Sequence, residues 1–324
     1  MRLLVTGGAG YIGSVVASEL LAAGHRVTVL DDLSTGHADA VPAGAELVRA
    51  SITEAGPVLA GAEYDAVLHF AAKSLVPESM AAPQLYWANN VSGTLALLEA
   101  MRAAGVRRLV FSSTAATYGE PDTVPITEDA PTRPTNPYGA SKLAVDQMLA
   151  GYASGYGFSA VSLRYFNVAG AKLAGDQPLG ERHATETHLI PIALQVAAGR
   201  RSGLRIHGTS YPTPDGTCIR DYLHILDLAD AHLRALDWTG AAAGHLVANL
   251  GSGSGASVRE VIETVRRITG HPTPAVEGPN RAGDPAVLIA SQDRAHQLLG
   301  WQPTRDLNRM VADAWQFTQR MSDG

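Results

Sequence analysis

The chain has 324 residues, of which 46% are hydrophobic and 17% are charged, and this balance excludes a disordered or low-complexity protein. Its 25 Lys and Arg residues against 31 Asp and Glu residues give a net charge of −6, so no nucleic-acid partner is expected. The single cysteine, Cys218, excludes an internal disulfide and favours a cytoplasmic location, and we expect neither a signal peptide nor a membrane-spanning segment.

Short apolar strands alternate with longer helical patterns along the first half of the chain. The predicted strands are residues 2–6, 26–30, 46–50, 64–70, 107–112 and 158–163. Between them, helices are predicted from residue 12 to about 24, over 84–104 and over 138–154, with Gly105 and Gly155 as C-caps. This alternation predicts an α/β protein with a doubly wound parallel sheet of the Rossmann type.

The alternation stops after Asn167, where a polar, glycine-containing stretch begins. We therefore predict a nucleotide-binding domain over residues 1–168 and a smaller mixed α/β substrate lobe over 169–324. A segment near 218–238 is expected to return to the first domain. Within the lobe, Ser257 and Glu260 form the pattern of a capping box that opens a helix.

A glycine-rich turn follows the first predicted strand, with Gly7, Gly10 and Gly13 spaced three residues apart. Such a turn brings backbone amides and a helix N-terminus to a pyrophosphate. Asp31 and Asp32 end the second strand, where a carboxylate accepts hydrogen bonds from a ribose and repels a 2′-phosphate. The pattern predicts NAD rather than NADP. The later glycine run at 251–255 lacks this context, and we interpret it as a turn.

Tyr138 and Lys142 lie four residues apart on a predicted helix and so share one face of it. A free phenol has a pKa of about 10, and a nearby ammonium group lowers that pKa toward neutrality. The pair alone is also compatible with a solvated helix face. Because it occurs together with the glycine turn, we interpret it as a proton-transfer device beside a hydride acceptor.

Together with these motifs, several segments make the chain resemble the extended short-chain dehydrogenase/reductase family, and within it the UDP-sugar 4-epimerases. The segments are His69-Phe-Ala-Ala-Lys-Ser74, Phe111-Ser-Ser-Thr114, Leu163-Arg-Tyr-Phe-Asn167 and residues 211–228. The resemblance implies an isomerase with retained NAD that interconverts UDP-glucose and UDP-galactose by transient oxidation at C4. It also implies a homodimer formed through the helices at 84–104 and 138–154.

The resemblance implies three catalytic residues, Tyr138, Lys142 and Thr114. The implied cofactor-binding residues are Gly7, Gly10, Tyr11, Ile12, Gly13, Asp31, Asp32, Leu33, Ser34, Thr35, Gly36, Ser51, Ile52, Phe70, Ala71, Ala72, Lys73, Ser74, Asn89, Ser112, Tyr138, Lys142, Tyr165 and Phe166. The implied substrate-binding residues are Thr114, Asn167, His188, Leu189, Ile206, His207, Arg220, Tyr222, Arg281, Asp284 and Leu288. Among these, Arg220 and Arg281 would hold the diphosphate and Asp284 the ribose of UDP.

Ala115 and Ala116 follow Thr114, where related dehydratases carry Asp-Glu, so elimination and decarboxylation are disfavoured. A 4-epimerase of another UDP-sugar, such as an N-acetylhexosamine, a pentose or a uronic acid, remains open. A non-catalytic NAD-binding regulator is disfavoured because Tyr138, Lys142 and Thr114 are all present. Leu288 stands where hexose-restricted epimerases carry a bulky Tyr, which predicts room for an N-acetyl group if this residue lines the pocket.

At several other positions, a purely structural role is the alternative to a functional one. Ser51 stands where relatives have an Asp for the adenine amino group, which makes tight NAD retention less certain. His188 fits a substrate contact and a loop residue equally well. His69 is expected to be packed rather than catalytic, and Cys218 to be inert. No metal-ligand spacing is evident among the histidines, so no metal is expected.

Overall fold

The computed structural model describes residues 1–175, 177–281 and 284–321 of the chain. Parts of the predicted lobe, including Ala282 and Gly283 between Arg281 and Asp284, lie outside the described residues. The strands are β1 (Arg2–Thr6), β2 (Arg26–Asp31), β3 (Glu46–Arg49), β4 (Ala66–His69), β5 (Arg108–Thr114), β6 (Ser159–Tyr165), β7 (Asn167–Ala169), β8 (Ala171–Lys172), β9 (Leu179–Gly180), β10 (Leu204–His207), β11 (Ile219–Arg220), β12 (Tyr222–His224), β13 (Gly244–Leu250), β14 (Ala256–Ser257), β15 (Ala275–Gly278) and β16 (Val287–Leu288).

The helices are α1 (Tyr11–Ala22), α2 (Ala55–Ala60), α3 (Val76–Ala81), α4 (Pro83–Tyr86), α5 (Gly93–Ala103), α6 (Pro137–Tyr156), α7 (Leu189–Ala197), α8 (Ile225–Ala241), α9 (Val258–Thr269), α10 (Asp293–Leu299) and α11 (Leu307–Arg320). A π-helical segment, Trp87–Ser92, joins α4 to α5, so the predicted helix over 84–104 is continuous but changes its winding. Within the described residues, no helix is long and apolar enough to cross a membrane.

Seven parallel strands form the central sheet in the order β13-β6-β5-β4-β1-β2-β3. The chain runs outward from β1 in one direction through β2 and β3, and in the other direction from β4 through β5 and β6. This reversal places a crevice at the carboxyl ends of β1 and β4, where open α/β sheets bind their ligands. The predicted doubly wound parallel sheet is confirmed.

Side chains point alternately to the two faces of this sheet, and helices cover both faces, so both faces are buried. Leu3 and Val5 face one apolar core, which also contains residues of α1 and α8. Leu4 faces the other core, which contains Leu97 of α5 and Leu149 of α6. Burial on both faces explains why the strands are continuous apolar runs.

Two sequence-based expectations need correction here. The predicted returning segment, 218–238, contains most of α8, which packs on the sheet, but the return extends further along the chain because β13 pairs with β6 along its whole length. β13 had been left in the predicted lobe because pairing between distant segments has no local sequence signal. In addition, α6 ends at Gly157, which has φ of 68°, rather than at Gly155.

A third apolar core lies outside the sheet and joins α7, α9 and α11. The α9 helix begins with the expected capping box, in which Ser257 and Glu260 each accept a backbone N–H from the other residue. The glycine run at 251–255 is a turn, as expected, and the buried carboxylate of Asp221 holds it by accepting the Gly253 amide at 3.0 Å.

Candidate active site

The turn after β1 lies against the chain that follows β4. Gly7 has φ of 72°, and a Cβ there would come within 2.4 Å of the Ala71 backbone nitrogen. A Cβ on Gly13 would come within 2.2 Å of the Gly7 carbonyl oxygen. Both positions therefore exclude a side chain, whereas a Cβ on Gly10 would meet nothing closer than 3.4 Å. The turn is thus open at Gly10, directly before the N-terminus of α1.

Asp31 connects the end of β2 to this turn. Its carboxylate accepts hydrogen bonds from the backbone amides of Ala9 and Leu33, each at 2.9 Å. Leu33 adopts φ of 60°, the one positive φ at a non-glycine residue in the described chain, and the bond to Asp31 holds it there. Burial raises the pKa of the Asp31 carboxyl, and the two amide hydrogen bonds oppose that shift.

The Thr114 hydroxyl lies close enough to the Tyr138 phenol to act on its pKa. Thr114 ends β5, and Tyr138 lies in the first turn of α6, which begins where the Asn136 side chain accepts the Gly139 amide at 2.9 Å. Burial raises the pKa of the Tyr138 phenol, and the hydrogen bond with Thr114 opposes that shift. The structure thus brings two of the predicted catalytic hydroxyls together at the carboxyl edge of the sheet.

The Lys142 ammonium is buried and donates a hydrogen bond to the Ser112 carbonyl oxygen at 2.8 Å. It also lies 4.8 Å from the centre of the Phe111 ring. Burial lowers the pKa of Lys142 to about 7, and the charge of Asp146 opposes that shift. Burial is the largest cause of the shift in the Tyr138 pKa, and the lowering of that pKa by Lys142 stays a prediction.

Asn90 was missed by sequence reasoning. Its side chain accepts the Lys73 amide at 2.8 Å and donates to the Lys73 carbonyl and to the Ser141 hydroxyl, both at 3.0 Å. It thereby ties the loop after β4 to α6, next to Lys142. Asn90 belongs to the π-helical segment, a form often found at functional sites, and the Asn89-Asn90 pair inside a helical pattern was its only local signal.

Several predicted cofactor residues meet beside Tyr138. The hydroxyls of Ser112 and Tyr165 are hydrogen-bonded. Phe70 and Tyr165 both pack on His232 of α8, with ring centres 4.8 and 6.3 Å away. Burial and the nearby Tyr138 raise the pKa of Tyr165. These contacts bring the ends of β4, β5 and β6 into one cluster.

A second cluster contains the predicted diphosphate residues. Arg220 at the end of β11 forms an ion pair with Asp284. Burial and the charges of Arg281 and Arg205 lower the pKa of His207, and the charge of Asp284 opposes this shift. With Arg220, three guanidinium groups and one carboxylate contribute charge to this part of the lobe.

The remaining predicted residues lie along the same edges. Leu288 of β16 is the register partner of Arg220, and Tyr222 of β12 pairs with Asn167 of β7. Leu189 begins α7, and Ile206 lies in β10. The loops after β2 and β4 contain Asp32, Ser34, Thr35, Gly36, Ala72 and Ser74. Tyr11 and Ile12 begin α1, Ile52 begins a short helix after β3, Asn89 lies in the π-helical segment, and Phe166 follows β6.

Some residues have structural partners. Ser51 caps the short helix Ile52–Glu54, with its hydroxyl 3.3 Å from the Thr53 amide. His69 is buried between the hydroxyls of Thr6 and Thr94, and burial lowers its pKa to about 3, so its packing role is confirmed.

His188 lies 2.5 Å from Glu181, and these two residues gather with His183 and Glu186 within 4.8 Å. The fold of one short segment brings these four side chains together, and the expectation that the protein binds no metal stays a prediction. Whether His188 also contacts a substrate stays a prediction. Cys218 is a buried free thiol whose pKa burial raises.

The family model described as the NAD dependent epimerase/dehydratase family matches residues 3–251. The chain belongs to this family. The match runs from β1 through β13 and so includes the whole central sheet.

The chain is similar to curated UDP-glucose 4-epimerases over its full length or nearly so. The UDP-glucose 4-epimerase of Corynebacterium glutamicum is 56% identical over 325 residues, covering 100% of this chain and 97% of that protein. The UDP-glucose 4-epimerase of Streptomyces lividans is 58% identical over 320 residues, covering 98% and 95%. The solved structure of UDP-glucose 4-epimerase from Bifidobacterium longum in complex with NAD+ and UDP is 36% identical, covers 100% of both chains and has a TM-score of 0.93. The resemblance predicted from the sequence is confirmed.

The glycine turn and Asp31 have the shape and the hydrogen-bonding groups that NAD requires. The turn is closed at Gly7 and Gly13 and open at Gly10, and α1 presents N-terminal amides beside the opening. Asp31 is held at the end of β2 with its carboxylate beside the turn. A pyrophosphate and an adenosine ribose require this donor and acceptor set.

Proposed function

We infer that the chain is an NAD-dependent UDP-sugar 4-epimerase that interconverts UDP-glucose and UDP-galactose. The observation that carries this inference is the placement of the Thr114 hydroxyl beside the Tyr138 phenol, whose pKa it lowers, with Ala115 and Ala116, which carry no carboxylate, directly after Thr114. A hydroxyl pair can move the proton of a sugar hydroxyl, but without a further acid or base it cannot expel water. The full-length likeness to UDP-glucose 4-epimerases supports the same reaction.

In this mechanism, Tyr138 accepts the proton of the sugar 4-hydroxyl and later returns it, while Thr114 bonds the same oxygen and shares its developing charge. Bound NAD supplies the acceptor and then the donor of the C4 hydride. Lys142 is held by its hydrogen bond to the Ser112 carbonyl, and its ammonium group would bind the ribose of the cofactor. The 4-keto sugar must expose both faces, so we propose that the hexose is held loosely and the nucleotide firmly.

We propose that Arg220 and Arg281 bind the diphosphate. Two guanidinium groups suit phosphate oxygens because each can make paired, charge-assisted hydrogen bonds. In the protein alone Asp284 neutralises Arg220. A diphosphate would replace that partner and release Asp284 to accept a ribose hydroxyl.

The remaining assignments are proposals of the same kind. We propose that residues 1–168 together with α8 and β13 hold the cofactor, and that the later lobe holds the UDP-sugar. Leu288 supports an alternative substrate, an N-acetylhexosamine, because it shares a strand register with Arg220 and therefore the same sheet face.

We also propose a cytoplasmic homodimer that serves galactose metabolism. Along the connected helices α3 to α5, Met80, Trp87 and Leu95 leave 62%, 43% and 45% of their surface exposed. A run of exposed apolar side chains favours association with a second copy. Light scattering of the purified protein measures its molar mass in solution and so distinguishes a dimer from a monomer.

The experiment that tests the reaction is equilibration of purified protein with UDP-galactose, followed by nuclear magnetic resonance of the sugar anomeric protons. UDP-glucose should appear without added reductant and without loss of the sugar nucleotide. Formation of a 4-keto or decarboxylated product, or no conversion at all, would contradict the proposal.

A further inference from the structure

Four potential metal ligands lie in the segment between β9 and α7, outside the catalytic hydroxyl pair. They are Glu181, His183, Glu186 and His188, which we call the EHEH cluster. Each offers one nitrogen or oxygen atom, and these four atoms all lie within 4.8 Å of one another. No proton or hydride transfer of the epimerase mechanism uses them, although His188 is also a predicted substrate contact.

The carboxylates of the EHEH cluster are enclosed, with side-chain exposures of 7% for Glu181 and 5% for Glu186. The Glu181 carboxylate lies 3.0 Å from Nδ1 of His183 and 2.5 Å from Nδ1 of His188. The Glu186 carboxylate lies 3.7 and 3.5 Å from the same two nitrogens. Both imidazoles therefore turn the same ring nitrogen toward both carboxylates.

Nδ1 of His183 is a buried nitrogen that makes no hydrogen bond of proper geometry, one of five such buried side-chain atoms among the described residues. Buried polar atoms are usually satisfied, so an orphan atom calls for a partner. Its nearest neighbours are carboxylate oxygens, and a cation between them would satisfy all of these atoms at once. The poor hydrogen-bond geometry of this nitrogen, which lies 3.0 Å from a Glu181 oxygen, is a second observation beside the clustering of the four residues.

The spacing also agrees with a tetrahedral site. Zn²⁺ binds imidazole nitrogen and carboxylate oxygen at roughly 2.0–2.2 Å, so ligand atoms at the corners of a tetrahedron lie about 3.4 Å apart. The four nitrogen–oxygen contacts of the EHEH cluster run from 2.5 to 3.7 Å. Small side-chain shifts would bring them to that spacing, and two carboxylates would balance the charge of the ion.

We propose that Glu181, His183, Glu186 and His188 form a binding site for one divalent transition-metal ion of the Zn²⁺ class. Imidazole ligands favour this class over Mg²⁺ and Ca²⁺, which prefer oxygen. Four protein ligands leave no open position, so the site is structural and takes no part in the hydride or proton transfers.

The position of the EHEH cluster indicates which parts of the chain a bound ion would hold together. Within its segment, Arg182 forms a paired ion bridge to Asp39, and its carbonyl oxygen lies 2.9 Å from a ring nitrogen of His37. His37 and Asp39 follow the β2 loop. At its other end, the segment becomes the first turn of α7. A bound ion would therefore lock the chain that connects the cofactor side of the crevice with the lobe proposed to bind the UDP-sugar.

Ion pairing without a metal is the competing explanation, because contact with Glu181 raises the pKa of His183 to about 10. The first test is calorimetric titration of untagged, chelator-treated protein with ZnCl₂. We expect one ion per chain and no comparable binding of Mg²⁺ or Ca²⁺. A wild-type protein that binds no Zn²⁺, or that binds Mg²⁺ equally well, would overturn the proposal.

The variants His183→Gln and Glu186→Gln each remove one ligand and should weaken Zn²⁺ binding about 10- to 100-fold or more. The matched control is His296→Gln, which alters an exposed histidine on α10 and should bind as the wild type does. If His183→Gln lowers Tm but leaves Zn²⁺ affinity unchanged, the cluster is an ion-pair network and the site is refuted.

A spectroscopic measurement keeps the test independent of stability. Co²⁺ in a tetrahedral site absorbs visible light far more strongly than hydrated Co²⁺. We expect this absorption in wild-type protein, its loss on adding Zn²⁺, and its absence in His183→Gln. Equal absorption in the variant and the wild type would place the ion elsewhere and reject the assignment.

Discussion

Lys142 donates a hydrogen bond from Nζ to the carbonyl oxygen of Ser112 at 2.8 Å, and this bond ties α6 to β5. The ammonium is enclosed by protein, with only 3% of the residue exposed. Holding a lysine in such a place costs stability, because its charge has left water.

The stability of the protein should therefore depend on pH through Lys142. Burial lowers its folded-state pKa to about 7 from 10.5. The destabilising contribution is complete below pH 7 and disappears as the pH rises toward the unfolded pKa. Denaturant unfolding of the ligand-free protein should show the wild type gaining stability relative to Lys142→Met between about pH 7 and 9. Lys73→Met, at a partly exposed position, should follow the wild type, and a pH-independent difference for Lys142→Met would contradict the expectation.

Tyr138→Phe should remove most turnover while NAD and UDP binding stay close to normal. A general acid–base contributes about 10²–10⁴-fold to the rate, and the ring itself keeps its edge contact with Tyr86 at 6.3 Å. Initial rates and calorimetric titrations of both ligands measure the two effects separately. Near-normal turnover in this variant would show that another group moves the proton.

Thr114→Val should shift the pH dependence of kcat/KM to higher pH. The hydrogen bond with Thr114 lowers the pKa of Tyr138 against the effect of burial, so its loss lets that pKa rise further. Thr114→Ser keeps a hydroxyl and should restore the wild-type profile. If the serine and valine variants gave the same profile, the Thr114 hydroxyl would have no part in setting the pKa of the Tyr138 phenol.

NAD+ should bind at least about 100-fold more tightly than NADP+, because Asp31 and Asp32 oppose a 2′-phosphate and like charges in contact cost several kcal/mol. Asp31→Asn should weaken NAD+ binding and narrow the preference, since the amide cannot accept both the Ala9 and the Leu33 amides as the carboxylate does. Asp32→Asn, at an exposed position, should have the smaller effect. Equal calorimetric affinity of the wild type for both cofactors would remove the role given to Asp31.

If Leu288 lines the sugar pocket, the wild type should interconvert UDP-GlcNAc and UDP-GalNAc as well as UDP-glucose and UDP-galactose. Leu288→Tyr should suppress only the acetylated pair, because the added ring occupies the volume that an N-acetyl group needs. Leu288→Met preserves volume and should keep both activities. No acetylated turnover in the wild type, or an unchanged ratio in the tyrosine variant, rejects this role.

The sequence by itself determined the features that depend on short-range geometry. The glycine turn, the acidic end of β2 and the apolar runs of β1 and β4 follow from backbone freedom and side-chain periodicity over a few residues. The identity of Tyr138, Lys142 and Thr114 as a chemical set also came from local spacing together with family resemblance.

Only the tertiary structure decided which distant groups meet. It placed β13 beside β6, gave Lys142 a hydrogen bond to the Ser112 carbonyl, and inserted Asn90 between Lys73 and Ser141. It also gathered the EHEH cluster, whose residues have no regular period. The reason is physical: a side chain's partner is set by how separate strands and loops pack, and local sequence periodicity carries no information about that packing.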